Sequence, residues 1–239
     1  NILNAAKNIS SLKSIIIITS DKCYKNNEKL SGYKETDELG GYDPYSGSKA
    51  AVENVFFSYY NAVFKNRKNL GVVSARAGNV IGGGDWSEDR IVPDFIKSLK
   101  NRKKFKIRSP NAIRPWQHVL DLINGYLILG MKAYGNKKFD GSWNFGPKTK
   151  KSRKVIDIVL QMKKYLNSGI PLLIKKNKKI QETNLLFLNS SKSFKKLGWT
   201  PKFTISKSVD LTAEWYKEYL NKKSVKSITV KQIKEFYSL

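Results

Sequence analysis

Tyr45 and Lys49 are the two residues whose types and spacing best suit catalysis. Residues four apart lie on the same face of a helix. A free phenol has a pKa of roughly 10 and is a poor base near neutrality, but a neighbouring ammonium group stabilises the phenolate. The pair therefore suits general base catalysis on a substrate hydroxyl group. Because this spacing is also common among surface helix residues, the surrounding sequence has to decide between the two interpretations.

A second group of polar residues follows a run of mostly β-branched residues at 14–19. Such a run predicts a strand buried on both faces, as in a parallel sheet. Ser20, Asp21 and Lys22 come next, and ligands bind at the carboxyl ends of strands in open α/β sheets. The Ser20 hydroxyl could hydrogen-bond both a phenol and a substrate hydroxyl. Taken alone, Ser20 and Asp21 favour a simple turn or helix cap over a catalytic role.

The elements around these residues alternate between strand and helix. Residues 25–43 are polar and predict a loop, and Pro44 predicts the first turn of a helix to about Tyr60. A buried strand is predicted at 70–75, which completes a strand, loop, helix, strand order typical of an α/β fold with a parallel sheet. Further predictions are helices at 91–99, 119–134, 155–166, 190–197 and 205–220, and a strand at 143–145.

Composition limits the possible function classes. The 239 residues are 40% hydrophobic, which is enough for a folded core, and no apolar run reaches the roughly 20 residues that span a membrane. Cys23 is the single cysteine, so an internal disulfide is excluded and a reducing cytoplasm is expected. His118 is the single histidine, so a Cys/His zinc cluster is also excluded. The net charge of +26 suits nucleic-acid binding, but the lysines are spread along the chain as in a general compositional bias. The basic clusters at 148–154 and 175–179 predict solvated loops.

Four longer strings identify a family resemblance. They are Thr19–Tyr24, Gly41–Tyr45, Arg76–Trp86 and Arg114–Leu120. Together they resemble the extended short-chain dehydrogenases/reductases of the NAD-dependent epimerase/dehydratase family, over residues 1 to about 220. The resemblance implies a Rossmann-like doubly wound parallel sheet that lacks its first strands, with a smaller C-terminal α/β substrate-binding lobe. Residues 1–80 would then be the C-terminal half of the NAD-binding domain, and 81–239 mainly the sugar-nucleotide lobe, with some elements returning to the sheet.

The resemblance also implies an activity and a set of roles. The strings are most similar to those of sugar-nucleotide 4,6-dehydratases, which would convert CDP-glucose to CDP-4-keto-6-deoxyglucose with NAD as an internal hydride carrier. The resemblance implies catalytic roles for Ser20, Asp21, Lys22, Tyr45 and Lys49. It implies that Tyr45, Lys49 and Gly78 contact the cofactor. It implies that Asn79, Arg90 and Arg114 bind the substrate. Asp21 matches the acid that protonates the leaving hydroxyl group. Lys22 stands where dTDP-glucose relatives have a glutamate, so its role is open. Trp116 and His118 are interpreted as structural, and no metal is expected.

Several alternatives remain open from the sequence. One alternative is a 4,6-dehydratase for another sugar nucleotide, because only the resemblance favours CDP over dTDP or GDP. A sugar-nucleotide epimerase would share most of these residues but needs no acid for water loss, so Asp21 discriminates. An inactive truncated fragment and a basic nucleic-acid-binding module are the alternatives of other classes. The family's phosphate-binding turn and acidic ribose clamp are not in this chain, and an intact protein is expected to carry about 100 further N-terminal residues.

The expected partner is a sugar nucleotide, without nucleic acid or membrane. The resemblance also implies a possible homodimer or homotetramer. Helix 44–60 could supply an interface through Val52, Val55, Phe56 and Tyr59, although the same residues suit a core face equally well.

Overall fold

The computed structural model describes residues 1–147, 153–174 and 185–239, which form two compact units. Unit 1 comprises Asn1–Gly78, Leu122–Thr149 and Leu186–Thr200, and unit 2 comprises Asn79–Asp121, Lys150–Leu185 and Pro201–Leu239. The first segment of unit 1 ends after Gly78, and the predicted division of the chain into domains at residue 80 stays a prediction. Residues 148–152 of the basic loop predicted at 148–154, and the whole of the one predicted at 175–179, lie outside the described residues.

The described elements alternate as expected for an α/β protein. The strands are β1 (Ser14–Ile18), β2 (Gly71–Ala77), β3 (Val80–Ile81), β4 (Phe105–Ile107), β5 (Ile113–Arg114), β6 (Gln117–His118), β7 (Gly141–Phe145), β8 (Arg153–Lys154) and β9 (Leu172–Ile174). The α-helices are α1 (Ile2–Lys7), α2 (Pro44–Tyr59), α3 (Ile91–Lys100), α4 (Val119–Ala133), α5 (Val155–Tyr165), α6 (Ser191–Leu197), α7 (Ile205–Leu220) and α8 (Val225–Ser238). Short 3-10 turns occur at Asp21–Cys23 and Lys137–Phe139, and a π-helical turn at Tyr60–Phe64 continues α2.

A parallel sheet of three strands, in the order β1-β2-β7, is the frame of unit 1. Every residue of the central strand β2 is buried, which explains its near-continuous run of small and β-branched residues. The register pairs Ile18 with Ala75 and Ala77 with Phe145. Since the strands are parallel, their carboxyl ends lie at one edge, where Ser20 and Gly78 follow β1 and β2.

Helix α2 packs its apolar side on unit 1. Phe56 is buried in a cluster with Ile15 and Val72, and Tyr59 packs against the same cluster. Val52 and Val55 remain exposed. The four residues suggested by the sequence as one interface are therefore divided between a core face and a solvent face.

Unit 2 is assembled from small sheets and helices. Strand β3 pairs with β6 and β4 with β9 in parallel, whereas β5 pairs with β8 in antiparallel orientation. Helices α3, α5 and α7 share one core, and α8 packs on α7. A Cβ atom on Gly83 would lie 2.0 Å from the Trp215 ring, so the close packing of this ring explains the glycine in the run Gly82–Gly84.

The α/β prediction and the principal element predictions are confirmed, with ends within a few residues of those expected. Helix α8, helix α1 and the two- and three-residue strands were not predicted. Arg153 and Lys154 were expected in a loop, but they form β8 because their backbones pair with Ile113 and Arg114 of β5. None of the described helices is long and apolar enough to cross a membrane. No cluster of metal-binding side chains occurs within the described ranges.

Candidate active site

The turn Asp21–Cys23 directly follows β1 and is capped by Ser20. The Ser20 hydroxyl accepts a hydrogen bond from the Lys22 backbone N–H at 3.2 Å and donates to Asp21 Oδ1 at 3.1 Å. Ser20 and Asp21 are both buried. Ser20 thus has the capping role that its residue type suggests, and it lies at the strand edge where a substrate would bind.

Helix α2 brings Tyr45 and Lys49 onto one face, as their spacing predicts. The Lys49 Nζ lies 5.5 Å from the centroid of the Tyr45 ring, within the range of a cation–π contact. The Tyr45 side chain is 54% exposed. Helix α2 also packs against the turn that carries Asp21 and Lys22. The hydrogen bonds of the Ser20 hydroxyl go to Asp21 and the Lys22 backbone rather than to the Tyr45 phenol.

Asp43 fixes the start of α2. Its carboxylate accepts hydrogen bonds from the Ser46 backbone N–H at 3.0 Å and from the Ser46 hydroxyl at 2.6 Å. These bonds from Ser46, with a smaller contribution from the Lys22 charge, hold the pKa of Asp43 below its usual value. The charge of Lys22 therefore acts on the cap of the helix that carries Tyr45, in addition to any role toward a substrate.

We predict that Asp43→Ala lowers the free energy of unfolding by about 0.5–2 kcal/mol, the usual effect of removing an N-cap. Asp43→Asn is the matched control, since asparagine keeps a capping oxygen but removes the charge. Urea unfolding at neutral pH measures the stability of both variants.

Because the folded-state pKa of Asp43 is lowered, the charge-dependent part of its contribution to stability is present above the unfolded pKa. This part is lost as the pH falls through the folded pKa. Equal losses in both variants would contradict a capping role.

A buried ion pair between Glu53 of α2 and Arg76 of β2 lies beneath these residues. The Arg76 Nη2 donates to Glu53 Oε2 at 2.7 Å, and both side chains are almost fully buried. Burial alone would raise the pKa of Glu53, but the hydrogen bonds and charge of Arg76, with hydrogen bonds from Thr19 and Ser74, keep it below its ordinary value. Sequence reasoning missed this pair, although a charged residue in a buried strand requires a partner.

The remaining predicted site residues are distributed over both units. Gly78 is the last residue of the first segment of unit 1, and Asn79, Arg90 and Arg114 belong to unit 2. The Asn79 carbonyl accepts a hydrogen bond from the backbone N–H of Gln117 at 3.0 Å. Arg90 is exposed just before α3, and its Nη1 lies 3.4 Å from Asp85 Oδ2. Arg114 is buried, and its Nη1 donates to the Ile113 carbonyl at 2.9 Å.

Trp116 and His118 are both buried in unit 2. The Trp116 Nε1 donates to the Arg153 carbonyl at 3.0 Å. His118 packs edge-on against Phe203, and its Nδ1 accepts a hydrogen bond from the Leu120 backbone N–H at 3.3 Å. Burial lowers the pKa of His118 to about 4. A neutral, packed imidazole supports a structural interpretation of this residue.

Comparison with known proteins gives a consistent class. A profile of the GDP-mannose 4,6 dehydratase family matches residues 1–212. The chain is 35% identical over 243 aligned residues to CDP-glucose 4,6-dehydratase of Salmonella typhimurium, and the alignment covers 100% of the chain and 68% of that enzyme.

Two solved structures share the fold. UDP-glucose 4-epimerase of Thermotoga maritima, solved with UDP-glucose, has a TM-score of 0.77 and 20% identity, covering 91% of this chain and 67% of that one. The dTDP-glucose 4,6-dehydratase of Bacillus anthracis, solved with NAD, has a TM-score of 0.74 and 20% identity, covering 91% and 65%. The chain thus spans roughly two thirds of the length of these relatives.

The fold is therefore that of the Rossmann-type sugar-nucleotide epimerases and dehydratases, as the sequence strings predicted. Because the profile covers most of the chain and the Salmonella enzyme aligns with all of it, the chain belongs to the GDP-mannose 4,6 dehydratase family. The assignment of individual residues to catalysis, cofactor and substrate remains a prediction.

Proposed function

We propose that the full-length protein is an NAD-dependent CDP-glucose 4,6-dehydratase that produces CDP-4-keto-6-deoxyglucose. The main support is the identity of 35% to the Salmonella enzyme across the whole chain. The turn at Ser20–Lys22 and the Tyr45–Lys49 pair, adjacent at the carboxyl edge of a parallel sheet, supply chemical groups that this reaction needs. On this proposal the protein acts in the cytoplasm on a free sugar nucleotide.

The residues present fit the nicotinamide-ribose end of NAD. Lys49 offers an ammonium group with three donors, which suits the hydroxyl groups of a ribose, and Tyr45 offers a second polar group on the same helical face. Gly78, at the end of β2, would allow close approach of the cofactor. When bound, NAD would accept the hydride from carbon 4 of the glucose and return it to carbon 6.

Each proposed catalytic residue then has a definable task. Tyr45, as the phenolate, takes the proton from the hydroxyl at carbon 4, and the Lys49 ammonium stabilises the negative charge. The resulting ketone acidifies the hydrogen at carbon 5, and a base takes this proton as the hydroxyl at carbon 6 leaves. Lys22 is the candidate for this base, with its role left open. A proton returns to carbon 5 when carbon 6 receives the hydride. Asp21 donates the proton that converts the leaving hydroxyl to water. Ser20, which lies beside Asp21, orients the substrate hydroxyl.

Lys22 and the arginines complete the proposal. The influence of Lys22 on Asp43 supports a role at the start of α2 and leaves its role toward carbon 5 open. Asn79 and Arg90 are proposed to bind the sugar nucleotide. Arg114 is proposed to bind its diphosphate, since a guanidinium fork matches the oxygens of that group. A homodimer or homotetramer that uses the exposed residues Val52 and Val55 of α2 is part of the proposal.

The test is incubation of the full-length protein with CDP-glucose and NAD. We expect a 4-keto product that absorbs in alkali and a sugar that has lost the oxygen at carbon 6, detected by mass spectrometry as loss of one water. Parallel reactions with UDP-glucose and dTDP-glucose test the nucleotide preference. A product of unchanged mass with inverted configuration at carbon 4 would identify an epimerase instead, and no product with any of the three would contradict the proposed activity.

A further inference from the structure

Glu53 lies on the face of α2 that carries Tyr45 and Lys49. The three residues are spaced four apart, so they follow one another along the same side of the helix. Tyr45 is exposed, whereas Glu53, two turns further on, is 1% exposed. A carboxylate so deeply buried requires hydrogen-bonding partners of its own.

The partners of Glu53 come from strands β2 and β7 and from Thr19, the residue that follows β1. Thr19, at the end of β1, donates through its hydroxyl to Oε1. Ser74 of β2 donates to Oε2 at 2.9 Å, and Ser142 of β7 donates to the same oxygen at 3.3 Å. With the bond from Arg76 at 2.7 Å, one carboxylate connects the helix to β2, to β7 and to the residue that follows β1.

Arg76 extends this hydrogen-bond network to Tyr24, the residue that follows the turn Asp21–Cys23. Its Nη1 donates to the Tyr24 hydroxyl at 2.8 Å and to the Glu35 carbonyl at 3.0 Å. The Tyr24 hydroxyl in turn donates to Asn144 Oδ1 at 2.7 Å. Burial raises the pKa of Tyr24 and outweighs the charge and hydrogen bond of Arg76, which lower it, so the phenol stays protonated as a donor.

The segment with Ser20, Asp21 and Lys22 is therefore held at both ends by one ion pair. Thr19, which precedes it, bonds to Glu53, and Tyr24, which follows it, bonds to Arg76. The same Glu53 belongs to the helix that carries Tyr45 and Lys49. The ion pair thus connects the two segments whose relative position determines whether the proposed base and acid face one substrate.

We propose that Glu53 and Arg76 are positioning residues for the dehydratase reaction, and that they set the distance between the Ser20–Asp21 turn and the Tyr45–Lys49 face of α2. The inference rests on the proposed function. Its physical basis is that small displacements of catalytic groups lower the rate of the chemical step far more than they weaken binding.

The test uses three variants of the full-length protein: Glu53→Gln, the double variant Glu53→Gln with Arg76→Gln, and Leu129→Ala. Leu129 is fully buried in α4 of unit 1 and takes no part in the network, so it serves as a control for general destabilisation. We expect both Glu53 variants to lower kcat about 10- to 100-fold well below their unfolding temperatures, because a displacement of about 1 Å can have such an effect. The KM for CDP-glucose should change little, as expected when binding is retained.

The double variant separates positioning from charge balance. It removes the uncompensated buried cation but does not restore the carboxylate that bonds to Thr19, Ser74 and Ser142, so kcat should stay low. Recovery of kcat in the double variant, or an equal loss of kcat in Leu129→Ala, would overturn the inference.

Hydrogen exchange provides a readout that does not depend on activity. In Glu53→Gln the amides of Lys22 and Ser46 should exchange faster than in the wild type, because both segments lose their common attachment. Unchanged exchange at both amides would overturn the inference. If the wild-type protein proves inactive on CDP-glucose, the proposed function fails, and the exchange experiment still decides whether the ion pair couples the two segments.

Discussion

Replacement of Tyr45 by phenylalanine is expected to lower kcat for CDP-glucose by about 100- to 10,000-fold, the usual contribution of a positioned general base. The change removes the phenolic oxygen and leaves the ring beneath the Lys49 ammonium. Since the side chain is 54% exposed, the variant should fold with unchanged stability. Steady-state rates for the full-length protein and the midpoint of urea unfolding measure the two effects separately.

Tyr42→Phe is the matched control. Tyr42 lies in the loop just before α2 and is 79% exposed. Its replacement removes an equivalent hydroxyl group outside the proposed site. We expect its kcat to match the wild type. If Tyr45→Phe retained wild-type kcat, or if both variants lost the same activity, Tyr45 could not be the base, and the dehydratase mechanism would need a different residue.

The local features of this site could be predicted from the sequence because local interactions determine them. The run of isoleucines at 15–18 forms β1, and Pro44 stands at the first position of α2. The four-residue spacing of Tyr45 and Lys49 places both on one helical face. Each of these predictions depends on residues close together in the chain, and each element is confirmed.

The ion pair beneath the site could not be predicted in the same way. Glu53 follows the helical spacing of Tyr45 and Lys49, and on sequence alone it suits a solvated position. Its partner Arg76 lies 23 residues further along the chain, in another element. The available signal was Arg76 itself, a charged residue inside the fully buried strand β2. A buried charge needs a partner, but only the packing of α2 on the sheet determines which one.

The arrangement of the chain in two units also depends on contacts distant in sequence. The chain leaves unit 1 after Gly78 and returns to it at Leu122–Thr149, which contributes β7 to the sheet. The short strands of unit 2 have two or three residues, too few for a periodic pattern. Their pairing is therefore visible only in the folded protein.

Arg76→Met is expected to lower the free energy of unfolding by about 3–5 kcal/mol at neutral pH, the usual effect of removing one partner of a buried ion pair. Methionine fills much of the same volume but leaves the Glu53 carboxylate without its guanidinium. The side chains of Thr19, Ser74 and Ser142 still donate to it, but they carry no charge. Urea unfolding of the full-length protein over a range of pH measures the effect.

The contribution of Glu53 to the free energy of unfolding should depend on pH with opposite signs in the wild type and in Arg76→Met. In the wild type the folded-state pKa of Glu53 is lowered, so the contribution of Glu53 is present above the unfolded pKa of roughly 4.3 and is lost as the pH falls through the folded value. In Arg76→Met burial without a cation should raise the pKa of Glu53 above the unfolded value. The variant should therefore regain stability as the pH falls from neutrality, and its difference from the wild type should decrease.

The double variant Glu53→Gln with Arg76→Met isolates the titrating group. It has no ionisable side chain at this position, so its stability should follow the background pH dependence of the rest of the protein. A stability difference between Arg76→Met and the double variant that stays constant with pH would show that Glu53 has the same pKa in the folded and unfolded variant, which contradicts the predicted rise on burial. The loss of stability caused by replacing Arg76 would then not be linked to the protonation of Glu53.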